Sequence, residues 1–423
     1  MTNTMLNHVL QSAARVFVGL SVLGVLLIVG CSKPTASFSE NLLFLKYQEE
    51  QNDGYSDQQQ QDIVDAVAAL FGTPDEPIFV PVEGRDQLLQ MNRVKQAAGP
   101  VNSDEYGNGR GLYRQHCVHC HGITGNGRGP TSAFLNPYPR DFTMGKFKFT
   151  STPVGVKPTE ADLRKTLMNG IAGTSMPSFA LLSEGEVSAL IDYVKYLSVR
   201  GQVERELMIL SPDFVDTEDA EANEAARQEF FSSDLLVNDV LASVVESWNM
   251  AESMVTPVPE RPAKYDRFGP EFDAKELQAS VDRGRNLYFS NEAQCVKCHG
   301  PAQLGDGQTN DYDDWTKEFF DWKKTEDEMY PKKMETFLAL GGLKPRHILP
   351  RNLRKGVYRG GRRPVDIFWR IHNGIDGSGM PESNKAALKT DDLWDLVNYV
   401  LQLPYEPASR PGVELRTNTK EVR

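Results

Sequence analysis

The chain is poor in cysteine: 423 residues hold five. A disulfide-stapled fold is excluded, because four of the five sit in two short local motifs and no pair remains for a bridge. Long apolar runs are equally scarce. The run from Val16 to Val29 is shorter than the roughly 20 residues of a membrane-spanning helix and has the length of a signal-peptide core. Basic residues are outnumbered, 46 Lys and Arg against 58 Asp and Glu, for a formal net charge of −12. Removing a signal whose only cation is Arg15 makes this −13, so nucleic acid is not an expected partner. The shortage is uneven. Residues 201–260 contain fourteen acidic side chains against Arg205 and Arg227, whereas residues 341–363 contain eight Lys and Arg and no acid. With 40% hydrophobic and 25% charged residues, the length suits two or three soluble globular domains.

What the chain does contain is Cys-x-x-Cys-His, twice: Cys117, Cys120 and His121, then Cys295, Cys298 and His299. The spacing suits covalent attachment of haem c: two thiols form thioethers with the porphyrin vinyl groups, and the next residue places an imidazole at the iron. A zinc knuckle or a redox dithiol also uses Cys-x-x-Cys, but neither calls for the adjoining histidine.

Most of the surrounding sequence repeats as well. Gly109-Arg110-Gly111-Leu112-Tyr113 returns as Gly284-Arg285-Asn286-Leu287-Tyr288, and Pro139-Arg140-Asp141-Phe142 as Pro350-Arg351-Asn352-Leu353. The run NGIAGTSMP, Asn169 to Pro177, returns as NGIDGSGMP, Asn373 to Pro381. Leu190 to Val194 matches Leu396 to Val400, with apolar residues at helical spacing. From His121 to Met176 is 55 residues and from His299 to Met380 is 81, so the second copy carries an insertion of 26, at about residues 311–343. Methionine is commonly core filler. Met176 and Met380 stand apart because they occupy equivalent positions, each after a glycine-containing loop and before a proline. They are the expected sixth ligands, opposite His121 and His299.

On these residues the chain resembles the class I c-type cytochromes over residues 104–199 and about 278–404. The resemblance implies an all-α fold of two tandem cytochrome c-like helical domains, each with a first helix, the haem pentapeptide, loops around the porphyrin, a methionine ligand and a closing helix crossing the first. It implies two covalently bound haem c groups. It carries a glycine and an aromatic of the first helix to Gly109 with Tyr113 and to Gly284 with Tyr288, where glycine lets helix backbones approach. It also implies a proline carbonyl holding the ligand histidine's other nitrogen, for which Pro130 stands in the first copy and nothing in the second. Arg140 and Arg351, at matching places, carry guanidinium forks suited to haem propionates, although solvated surface arginines are the ordinary alternative.

Other candidates are weaker. Met144 has no counterpart in the second copy, and His347 lies in the basic stretch and could replace Met380 only at the cost of a lower potential. His116 and His119 are expected beside the first haem, and His372 on a helix.

The remaining segments are expected as a lipoprotein signal over 1–30, with Cys31 as the lipidated residue, and an N-terminal extension over 31–103. Domain 1 follows over 104–200, a partly helical acidic linker over 201–277, domain 2 over 278–408 and a tail over 409–423. Ser56 and Gln59 form a capping box opening a helix toward Leu70, and a second helix is expected from Ser233 to Ser253. A signal ending in lipidated cysteine implies an exported, periplasm-facing protein held to a membrane by lipid. A His/Met iron has both axial sites filled, so the expectation is an electron carrier, not an enzyme. It would pass single electrons between a respiratory donor and acceptor as subunit or partner of a membrane oxidoreductase, similar in plan to the dihaem subunits of haem-copper oxidases. A dihaem peroxidase is the alternative, and it needs an open distal site.

Overall fold

A computed structural model describes residues 36–51, 54–102, 109–214, 219–313, 317, 319 and 329–411. Cys31 and the apolar run before it lie outside the described residues. The described chain is helical, with one two-stranded sheet among the described residues.

The extension contributes α1 (Leu42–Gln51), α2 (Asp57–Phe71) and α3 (Met91–Ala98). Capping starts α2 as the sequence predicts: Ser56 Oγ accepts from Gln59 N at 3.2 Å, and Gln59 Oε1 accepts from Ser56 N at 2.9 Å. Gly72 ends it at φ +69°, where a β carbon would meet the Glu76 carbonyl at 2.4 Å. Next come α4 (Leu112–His116), α5 (Val118–His121) and α6 (Glu160–Asn169). The long α7 (Glu184–Leu210) follows, opened by a capping box of Ser183 and Glu186.

α7 is buried on nearly every side from Val187 to Gly201, including its polar residues Asp192, Lys195 and Arg200. The extension covers one flank: Phe71 and Phe79 ring Tyr196, whose hydroxyl donates to the Phe71 carbonyl. The acidic segment covers another. It forms α8 (Ala220–Phe230), a wide π-type stretch over Asp234–Leu241 and α9 (Ala242–Asn249), whose Val245 and Trp248 are buried, Trp248 edge-on to Phe147 at 5.9 Å. The helix expected at 233–253 is therefore present, and together with the extension it shares one core with the first cytochrome-like repeat.

The second repeat has a core of its own. It is built from α10 (Ala274–Phe289), α11 (Cys295–His299), α12 (Tyr330–Ala339), α13 (Pro364–Asn373) and α14 (Thr390–Gln402). α10 crosses α14 at Gly284, where a β carbon would lie 2.0 Å from the Asp395 carbonyl oxygen, so only glycine fits. Beside the crossing, Asp395 accepts from Ser280 Oγ at 2.5 Å and Arg283 Nε at 2.7 Å. The insertion is closed at its base by β1 (Asp311–Tyr312) paired antiparallel with β2 (His347–Ile348). Its α12 reaches the extension, burying Phe337 beside Leu43, with Lys333 bonded to Glu50 at 3.1 Å.

The first repeat departs from the expected crossing. α4 begins only at Leu112, no described atom lies within 4 Å of a β carbon on Gly109, and Gly111 is the glycine in close contact, against the Ala98 carbonyl at the end of α3. Here α3 lies along α7 where the second repeat uses α10. The aromatic contact survives: Tyr113 meets Tyr193 at 4.9 Å, as Tyr288 meets Tyr399 at 5.6 Å.

The repeats are joined by specific bonds. Lys165 on α6 pairs with Asp366 on α13, Asn373 Nδ2 donates to the Thr152 carbonyl at 3.1 Å, and Thr256 Oγ1 donates to Asn373 Oδ1 at 2.8 Å.

Candidate functional site

Each Cys-x-x-Cys-His forms a single helical turn ended by a glycine at φ +76°, Gly122 or Gly300. The preceding helix pins that glycine: Tyr113 Oη donates to the Gly122 carbonyl at 2.8 Å and Tyr288 Oη to the Gly300 carbonyl at 2.7 Å. The following loop then packs directly on the turn. A β carbon on Gly129 would lie 2.5 Å from the Val118 and His119 carbonyl oxygens, and one on Gly307 2.5 Å from that of Lys297.

Both histidines are held alike. His121 Nδ1 bonds the Arg140 carbonyl at 3.0 Å and His299 Nδ1 the Arg351 carbonyl at 3.1 Å. The acceptor is thus the backbone of the repeated arginine, and Pro130, which is exposed, does not fill that place. This bond fixes the tautomer and leaves Nε2 to face a metal. Burial, with the Arg140 charge adding to it, pulls the His121 imidazole down to about 4, and burial lowers His299 as well. Both rings are therefore neutral near pH 7, the form that coordinates. His121 also stacks on Phe142, 4.4 Å between centroids.

The methionine loops match bond for bond. Ile171 N donates to the Met176 carbonyl at 3.1 Å and Ile375 N to the Met380 carbonyl at 3.0 Å. Thr174 Oγ1 accepts from Met176 N at 3.1 Å, and Ser378 Oγ from Met380 N at 3.3 Å. Gly170 and Gly374 bring each loop back on itself at positive φ, with Pro177 or Pro381 where a β carbon would project.

Two cavities result. One, of about 290 Å³, is lined by Cys117, Cys120, His121, Arg140 and Met176. The other, of about 730 Å³, is lined by Cys295, Cys298, His299, Arg351 and Met380. Met144 and His347 line neither; His347 instead packs on Tyr312 at 4.3 Å across β1 and β2. His116 and His119 line the first cavity, and His372 stacks on Phe368.

None of these four cysteines is in a disulfide. Burial pushes the Cys117 thiol up to about 12 and the Cys295 thiol to about 11, the opposite of what a redox-active dithiol requires. The family model for cytochrome c matches residues 106–198 and 281–404. The chain belongs to the cytochrome c family.

No curated protein matches this cytochrome. Among solved structures it is similar to a chain of the Kuenenia stuttgartiensis reducing HAO-like protein complex, at 24% identity and a TM-score of 0.40, over 72% of this chain and 98% of that one.

Covalently bound haem c, which the family implies, fits what these residues offer. Each cavity places two thiols, a neutral imidazole and a thioether on apolar walls. The second adds the buried Nε atoms of Arg351 and Arg370, and Arg359, whose Nε is also buried, lines both; none of the three nitrogens has a hydrogen-bond partner among the described residues. Such groups suit propionate carboxylates.

Several cations at the cavities were invisible as site residues in the sequence. Lys148 side chain is 20% exposed, pairs with Asp313 and is pushed down to about 8 by burial and by the charges of Arg140 and Arg359. Burial lowers Arg370 to about 10. Lys148 and Arg370 had no sequence signal; Arg359 lies in the acid-free stretch 341–363, which turns to the first repeat: Arg346 donates to the Ala133 carbonyl at 2.9 Å and lies over the Tyr138 ring.

Proposed function

We propose that this cytochrome carries two covalently attached haems c and moves single electrons between redox proteins. The observation that carries the reading is the match between the two cavities, each pairing a buried neutral histidine, tied through Nδ1 to a backbone carbonyl, with a loop-held methionine on the same lining.

The residues divide the work as follows. Cys117 and Cys120, and Cys295 and Cys298, anchor the groups through thioethers. His121 with Met176, and His299 with Met380, would ligate the iron, while Arg140 and Arg351 would meet the propionates. When bound, a haem supplies a reversible one-electron couple, whose potential a thioether ligand raises. Pro177 and Pro381, with the doubly bonded loops before them, hold the methionines against displacement. That rigidity opposes substrate entry and favours a carrier over a catalyst.

The setting follows from the N-terminal sequence: an exported protein lipidated at Cys31, facing the periplasm, serving as subunit or partner of a membrane oxidoreductase with a protein donor and a protein acceptor. The test is a pyridine haemochrome assay with mass analysis of the mature chain. The reading expects two haems per chain that survive acid-acetone extraction and an N-terminal diacylglyceryl cysteine; one haem, or extractable haem, contradicts it.

A further inference from the structure

Lys148, Phe149 and Arg359 line both cavities. Lys148 and Phe149 come from the loop after the first haem motif, and Arg359 from the matching loop of the second repeat, more than two hundred residues later. They are a partition with a haem cavity on each side.

The partition is cationic. Arg140 stands on the first cavity, Arg351 and Arg370 on the second, and the Nε atoms of Arg351, Arg359 and Arg370 are buried without hydrogen-bond partners among the described residues. Against these, Asp313 is the carboxylate bonded to Lys148, and Arg370 spends one bond on the Asp366 carbonyl. Among the described residues no carboxylate other than Asp313 is bonded to Lys148, and packing several cations together in this way costs free energy unless the occupants of the cavities bring negative charge. Haem propionates are such charges. Rim cations on the second cavity, by contrast, have local partners: Lys385 bonds Glu382 at 2.6 Å and Lys297 bonds Gln294 at 2.8 Å.

We propose that Lys148 and Arg359 form one cation site shared by both haems, taking a propionate carboxylate from each side, so that the two redox centres are tied electrostatically through the same two side chains. This rests on the reading that both cavities hold haem. A cation set in one cavity's wall acts chiefly on the nearer iron, whereas a shared cation disfavours the ferric state at both.

Spectroelectrochemical titration of the mature holoprotein tests this with Lys148→Gln, Arg359→Gln and the charge-keeping Lys148→Arg. Each neutral variant is expected to lower both steps of the titration. The shift is on the order of tenfold in each ferrous-to-ferric ratio, which is 59 mV for one electron, while Lys148→Arg leaves both steps near their original positions. Arg359→Gln keeps the test open should loss of Lys148 and its ion pair hinder folding. Movement of one step alone, or of neither, in a protein with two haems and unchanged low-spin spectra overturns the shared site while leaving the carrier reading intact. Fewer than two covalent haems overturns the carrier reading, and the shared site with it.

Discussion

The guanidinium of Arg140 lies against Gly377 of the other repeat's methionine loop, where a β carbon would come 3.1 Å from Nη1. The relation is reciprocal: a β carbon on Gly173 would come 3.3 Å from Arg351 Nη2. Each arginine that follows a Cys-x-x-Cys-His motif thus lies beside the loop presenting the other repeat's methionine. Gly377 has φ +64°, so Gly377→Ala carries about 1–2 kcal/mol of backbone strain plus the contact with Arg140. Gly155→Ala, at φ +86° with open space, carries the strain alone. Thermal unfolding of the two holoproteins is expected to show the larger loss for Gly377→Ala.

The pin between Tyr288 and the Gly300 carbonyl predicts that Tyr288→Phe costs about 1–2 kcal/mol, because a buried carbonyl loses its donor while the ring still packs on Tyr399. Denaturant unfolding reads the loss directly. Tyr113→Phe is expected to behave alike at Gly122.

Lys165 and Asp366 join the repeats, and the pair makes stability depend on pH. Burial alone would raise the Asp366 carboxyl, but hydrogen bonds from Arg363 and Lys165 and their charges outweigh it and hold the group below the usual carboxylate range. A depressed carboxyl stabilises the fold fully above its unfolded value, roughly 3.9, and loses that contribution as pH falls through the folded value. Asp366→Asn is therefore expected to lose on the order of 2 kcal/mol at pH 7, with the difference from the parent shrinking below about pH 4. Urea titrations at the two pH values give the comparison; an equal difference at both would contradict the assignment.

Local chemistry was legible in the sequence. The haem turns, the methionine loops and the capping box at Ser56 each rest on residues within a few positions of one another, so spacing reveals them. What joins distant segments was not. Lys148 and Arg359 have no local motif, and only folding brings them to one partition. The acceptor for His121 is a backbone carbonyl, which any residue provides, so the family resemblance pointed to Pro130 when the bond goes to Arg140. The repeat gave no hint that α3 would replace the first half of a long helix before Cys117, since that segment has no copy elsewhere in the chain. The acid-rich segment read as a linker because its outer face is charged, yet its buried Leu236, Val240, Val245 and Trp248 pack into the first core.

Ligation is the central claim, and the optical spectrum of the mature protein addresses it most directly, taken ferric, ferrous, and ferrous with carbon monoxide. Two low-spin haems, a methionine-to-iron charge-transfer band in the ferric form and no response to carbon monoxide are the predicted result. A high-spin component, or a ferrous haem that binds carbon monoxide, would contradict the assignment of Met176 or Met380 and with it the account of a carrier closed at both irons.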